Sequence, residues 1–169
     1  MSDLDTAVKL IKAGRRFLLT CHVLPDADAL GSMLGLSEIL KSLGKEVVLY
    51  NRDPVPPGLQ FLAGAAEVRS SLVPGMKFDA TLITDTAARD LLPRQFPPPA
   101  ITGPVIIIDH HVGHDDFGDV VLRDVNAAAT AVVVADLAAA LGLSTVPVAA
   151  AEPLYTCLLY TSPSPRDRS

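Results

Sequence analysis

Phe17-Leu18-Leu19-Thr20-Cys21, followed at once by His22-Val23-Leu24-Pro25-Asp26-Ala27-Asp28-Ala29-Leu30-Gly31-Ser32, is the stretch that decides the fold. The first five residues form an apolar run too short for a helix. They are bounded by Arg15-Arg16 and a polar loop, so they read as a buried strand. Beyond Pro25 the hydrophobic period changes. Leu30, Leu34, Ile39 and Leu40 fit a helix that stops around Gly44. A buried strand, a polar loop and an amphipathic helix in succession are the unit of a parallel sheet, whose ligands gather at the carboxyl ends of the strands.

The same alternation extends in both directions. Upstream, Leu4, Val8, Leu10 and Ile11 recur at helical spacing, with Asp3 and Asp5 near the start and Gly14 at the end. Downstream, Val47-Val48-Leu49-Tyr50 reads as a second strand, and Pro54, Pro56 and Pro57 break the chain after it. A short helix is expected around Leu59–Leu62, a third strand from Phe78 to Thr84 and a fourth from Val105 to Ile108. Pro93, Pro97, Pro98 and Pro99 make the intervening segment a loop. Ala127–Leu141 reads as a helix rich in Ala and Val, and Val148–Tyr155 starts another. The strands lack polar alternation, so the expected fold is one α/β domain: a doubly wound, mostly parallel sheet with helices on both faces.

Length and composition agree. A chain of 169 residues, 49% hydrophobic and 20% charged, can bury a core without disulfides. No apolar run approaches a membrane span and the N-terminus has no export signal, so the expectation is a cytoplasmic protein that does not engage a membrane. A net charge of −5 argues against broad coating of nucleic acid, which needs a basic face. A small anionic substrate held through metal is compatible with it. Two distant cysteines form no disulfide framework, and Cys21 reads as a buried strand residue.

Acids and imidazoles cluster after three of the strands. His22, Asp26 and Asp28 follow the first, Asp85 ends the third, and Asp109-His110-His111 follows the fourth. Each has an ordinary structural explanation. Asp26 and Asp28 suit a helix N-terminus, Asp85 a cap before Thr86-Ala87, and the double histidine a solvated loop. Three coincident clusters make independent caps the weaker account. Converging carboxylates and imidazoles repel unless a cation neutralises them. Oxygen donors with some imidazole and no thiolate suit Mn²⁺ or Mg²⁺, and two ions about 3.5–4 Å apart can clamp a phosphoryl group from both sides.

His22-x-x-Pro25-Asp26-x-Asp28-Ala29-x-Gly31-Ser32, then Asp85, then Asp109-His110-His111, resembles the DHH phosphoesterase superfamily in order, spacing and strand context. Within it the chain is most similar to the bacterial nano-RNases, oligoribonucleases that are also adenosine 3′,5′-bisphosphate phosphatases. Phe117-Gly118-Asp119 and Asn126–Thr130 support that placement. The resemblance implies that His22, Asp26 and Asp85 hold one Mn²⁺ and that Asp28, Asp85 and His110 hold a second, with Asp85 bridging. His111 would contact the scissile phosphate, Asp109 would orient its neighbours, and Arg89 is a weaker candidate for a phosphate contact. His114, Asp115 and Asp116 read as a solvent loop. The implied substrate is short RNA or a small nucleotide, and a homodimer is admitted without being required.

The final stretch departs from this pattern. Cys157–Asp167 resembles the translation of a transposon-end adapter used in sequencing libraries, so residues 1–156 are expected to be an incomplete phosphoesterase domain and 157–169 a non-native tail. The family's fourth-motif aspartate would come just beyond Thr156, followed by a smaller substrate-binding domain. A truncated chain is then expected to hold its second ion loosely and to have low or no activity. Manganese pyrophosphatases, RecJ-type exonucleases and cyclic-dinucleotide phosphodiesterases share the same motifs and remain alternatives. A nucleotide-binding module without catalysis is the non-enzymatic one.

Overall fold

The computed structural model describes residues 2–93, 96–113, 115 and 117–161, the last without its side chain. Helix α1 (Asp3–Ala13) starts at Ser2, whose hydroxyl accepts from the Asp5 N–H while the Asp5 carboxylate accepts from the Ser2 N–H. Then follow β1 (Arg16–Cys21), α2 (Ala27–Ser42), β2 (Glu46–Leu49), β3 (Ala80–Thr84), the short α3 (Pro99–Thr102), β4 (Val105–Asp109), β5 (Val120–Arg123), α4 (Thr130–Ala140) and α5 (Val148–Thr161). All four strand pairings are parallel, and the order across the sheet is β2-β1-β3-β4-β5.

The sheet's two faces are covered differently. Phe17, Leu19, Cys21, Leu82, Ile106, Ile108 and Leu122 pack into one large core with side chains from α1, α2, α4 and α5. On the opposite face Leu18, Tyr50 and Phe78 pack with Leu72, Met76 and Ile101 of α3, and Ile83 and Ile107 pack with Leu92, Phe96 and Phe117. The expected two-sided α/β sheet is therefore present, with the long helices on one face and short turns and α3 on the other. Alternate side chains of each strand point to opposite faces, so strands clothed on both sides read as unbroken apolar runs.

Several local expectations need correction. The proline-rich segment is not wholly loop: Pro99 opens α3, where its missing N–H would be unpaired anyway. The expected helix at Leu59–Leu62 is a single 3₁₀ turn over Pro57–Leu59. The helix expected from Ala127 begins three residues later, at Thr130. Strand β5 was not expected at all. It has four residues and pairs with β4 alone, from Ile106–Val120 to Asp109–Arg123.

Helix α5 runs without interruption across the 156/157 boundary and packs against α2. The approach is close at Gly31, where a Cβ would lie 2.5 Å from the Pro153 carbonyl and 2.9 Å from Cys157 Cβ. Only glycine fits there.

Candidate metal centre

Strand register brings the chemistry together. Cys21 lies beside Thr84 and Thr84 beside Ile108, so the chain leaves β1, β3 and β4 at one level. β1 is also where the strand order reverses, since β2 lies on one side of it and β3 on the other. Such reversals open a crevice at the carboxyl edge of a parallel sheet. His22, Asp85, His110 and His111 follow these strand ends immediately, and Asp26 and Asp28 reach the same crevice from the start of α2.

Asp26 does cap α2, its Oδ1 accepting from the Ala29 N–H at 3.0 Å. The capping account is thus correct for Asp26 and still insufficient, because the same carboxylate faces His22 Nε2 at 3.8 Å. Asp85 is no helix cap. Its φ of +53° lies in the left-handed region, and its N–H donates to the Ile108 carbonyl at 2.9 Å. Its carboxylate is 4% exposed and stands 3.7 Å from His22 Nε2, 3.8 Å from His110 Nε2 and 3.7 Å from His111 Nδ1. Asp28, 1% exposed, faces His110 Nε2 at 3.2 Å.

Two donor groups result, each able to offer one ligand atom per residue within a 4.8 Å span: His22 with Asp26 and Asp85, and Asp85 with His110 and His111. Asp85 is common to both. The Asp28 carboxylate is more heavily engaged. Its Oδ1 accepts from Cys157 Sγ at 2.6 Å, from Ser32 Oγ at 3.2 Å and from the Thr130 N–H at 3.2 Å. Asp109 is fully buried, and its Oδ1 meets His111 Nδ1 at 2.8 Å.

Electrostatics agree with a cation-binding cluster. The carboxylates of Asp26 and then Asp85 push the His22 pKa up to about 10, and His22 in turn holds Asp26 down at about 2. Burial raises Asp28, and the neighbouring Asp85 charge raises it further. Burial opposes the charged form of His111, but Asp109 and the other carboxylates outweigh it, so its pKa lies above the ordinary value. Burial, then Asp28, raises the Cys157 thiol and keeps it protonated. Among the described residues, every ion pair of Asp26, Asp28 and Asp85 is with a histidine. The donor set of carboxylate oxygens with imidazole nitrogens fits a hard divalent cation.

Arg89 is exposed, in a turn over Arg89–Leu91, and lines a groove of about 460 Å³ with Leu92, Phe96 and Phe117. None of the described hydrogen bonds or ion pairs links it to the cluster. Asp115 is exposed, and its N–H donates to the Ala87 carbonyl; His114 and Asp116 lie outside the described residues. Residues that the sequence reading did not assign also meet here. The Thr130 hydroxyl donates to Asp85 Oδ1 at 2.8 Å, and Asn51, 1% exposed, donates to the His22 carbonyl at 2.8 Å. A threonine opening an apolar helix and an Asn-x-Asp just after a strand were the available signals.

A parallel sheet with aspartates and histidines gathered at its switch point makes this an α/β domain whose donor groups could hold a metal ion. The DHH family N-terminal domain matches residues 16–160, and the chain belongs to that family. Its relatives include the bifunctional oligoribonuclease and PAP phosphatase NrnA of Thermus thermophilus, 40% identical over 125 residues, 74% of this chain and 37% of that protein. The protein of the same name from Bacillus subtilis is 29% identical over 130 residues, 77% of this chain and 40% of that protein. The chain thus spans about two fifths of the length of these relatives. An exopolyphosphatase-related protein from Bacteroides fragilis superposes with a TM-score of 0.84 at 25% identity, over 94% of this chain and 49% of that one. No described helix is long and apolar enough to cross a membrane.

Proposed function

We propose that this chain is the metal-binding part of a phosphoesterase that hydrolyses short oligoribonucleotides to 5′-mononucleotides, adenosine 3′,5′-bisphosphate to AMP, or both. The observation that carries the proposal is Asp85, buried in a left-handed conformation between two donor groups. Similarity to the NrnA proteins supports the substrate class.

In this reading His22, Asp26 and Asp85 hold one Mn²⁺, and Asp28, Asp85 and His110 hold a second, with Mg²⁺ as a substitute. When bound, such ions supply positive charge to the phosphoryl oxygens and make water acidic enough to ionise near neutral pH. The other steps belong to the protein's own side chains. Asp109 fixes the His111 ring by accepting from Nδ1–H and, with the neighbouring carboxylates, favours the protonated imidazolium, whose Nε2–H can donate to a phosphate oxygen as charge develops there. Thr130 holds Asp85 through its hydroxyl, and the Thr130 N–H, at the positive end of α4, holds Asp28. Residues 157–169 are read as a non-native tail on the adapter-like sequence alone.

The test is Mn²⁺-dependent release of mononucleotide from di-adenylate and of phosphate from adenosine 3′,5′-bisphosphate, with pyrophosphate and cyclic di-AMP as competitors. The expected outcome is slow turnover of the first two, abolished by Asp85→Ala. Preferred hydrolysis of pyrophosphate or of the cyclic dinucleotide would replace this reading with one of its enzymatic alternatives. Nucleotide binding without hydrolysis, unchanged when the uninterrupted frame beyond Thr156 is restored, would favour a binding module.

A further inference from the structure

Two successive peptide units at the tip of β1, His22–Val23 and Val23–Leu24, are gripped from outside their own loop. The Asn51 amide donates to the His22 carbonyl at 2.8 Å, and its Nδ2 also lies 3.1 Å from Cys21 Sγ. The Val23 N–H donates to the Leu91 carbonyl at 2.8 Å. The Leu24 N–H donates to Asp53 Oδ2, also at 2.8 Å. The two polar side chains are themselves joined, since Asn51 Oδ1 accepts from the Asp53 N–H at 3.0 Å. Arg52 closes the arrangement with two hydrogen bonds to the Asp53 carboxylate, at 2.9 and 3.1 Å.

This grip acts on a backbone that would not hold its shape alone. Leu24 has φ +53°, which its Cβ disfavours, and its side chain is 79% exposed, so packing does little to fix it. The bond from its N–H to Asp53 restrains it. The residues on either side of this turn are His22 and Asp26, which face each other at 3.8 Å.

We infer that Asn51 and Asp53, on the segment after β2, are positioning residues that hold the His22–Asp26 loop in its metal-binding shape. Neither touches the metal or the substrate. They act by fixing the His22 carbonyl and the Leu24 N–H, so that imidazole and carboxylate enter the crevice from a preformed turn. The inference rests on the metal reading above. Groups that orient ligands from behind typically contribute about 10–100-fold to metal affinity.

The experiment measures Mn²⁺ affinity by electron paramagnetic resonance of the free ion, with thermal unfolding and His22 ring ¹⁵N shifts recorded on the metal-free chain. Asp53→Ala should weaken the ion held by His22, Asp26 and Asp85 about tenfold and shift the His22 ring signals. Asp53→Asn, whose amide oxygen still accepts from Leu24, should stay within about threefold of the unaltered chain. Asn51→Ala should weaken binding as Asp53→Ala does; if it fails to fold, the Asp53 pair decides. Unchanged affinity in Asp53→Ala, or equal weakening by Asp53→Asn, would overturn the inference while leaving the metal reading intact. Absence of Mn²⁺ binding by the unaltered chain would overturn both.

Discussion

Replacing Asp85 by asparagine tests the centre most sharply, because this side chain belongs to both donor groups whereas Asp26 belongs to one. The substitution keeps size and shape and removes one charge. An ion present at a hundred times its dissociation constant stabilises the folded state by about 2.7 kcal/mol. For a chain of this size each kcal/mol moves the melting temperature by about 2–4 °C, so one ion raises it by roughly 5–11 °C. The assay is thermal unfolding with excess MnCl₂ against EDTA. The unaltered chain should show at least the single-ion shift, and Asp85→Asn should show almost none. Asp26→Asn should abolish the share due to the His22 group and keep the remainder. Asp136→Asn, an exposed site on α4, should respond as the unaltered chain does. A normal shift in Asp85→Asn, or an equal loss in the two site variants, would refute the shared-ligand geometry.

Cys157→Ala removes the thiol bonded at 2.6 Å to Asp28 and should free that carboxylate, raising the number of Mn²⁺ bound per chain in equilibrium dialysis. An unchanged stoichiometry would show that the thiol does not compete. Thr130→Val deletes the hydroxyl bonded to the buried Asp85 and should destabilise the metal-free chain by about 1.5–3 kcal/mol in urea, the range for a hydrogen bond to a charged group. Asp79 accepts from the Arg16 and Arg15 backbone N–H groups, and those bonds hold its carboxyl below the ordinary 3.8. A depressed carboxyl stabilises the fold above its unfolded value, and that contribution disappears as pH falls through the folded one. Stability in EDTA should therefore decline below about pH 4, and Asp79→Asn should flatten the decline.

Most of the α/β frame was readable because β1, β3 and β4 are apolar on both faces and each leads into a polar loop. β5 has no clear sequence signature because Val120-Val121-Leu122-Arg123 is short and edge-paired, and its place depends on register with β4. The start of α4 was equally invisible in an alanine-rich run. It is set where the Thr130 N–H meets Asp28, a residue 102 positions away. Asn51 and Thr130 carry only weak local signals, an Asn-x-Asp after a strand and a threonine opening an apolar helix, and neither says that the side chain reaches His22 or Asp85.

The chain alone determined which residues carry charge and imidazole, and that they follow strand ends, because hydrophobic periodicity and residue chemistry are local properties. Tertiary structure decided that Asp85 stands between two donor groups, that Cys157 rather than solvent meets Asp28, and that Asn51 and Asp53 hydrogen-bond to the β1 loop. Those facts depend on parallel register and helix packing, which join residues far apart in the chain and which no local pattern encodes.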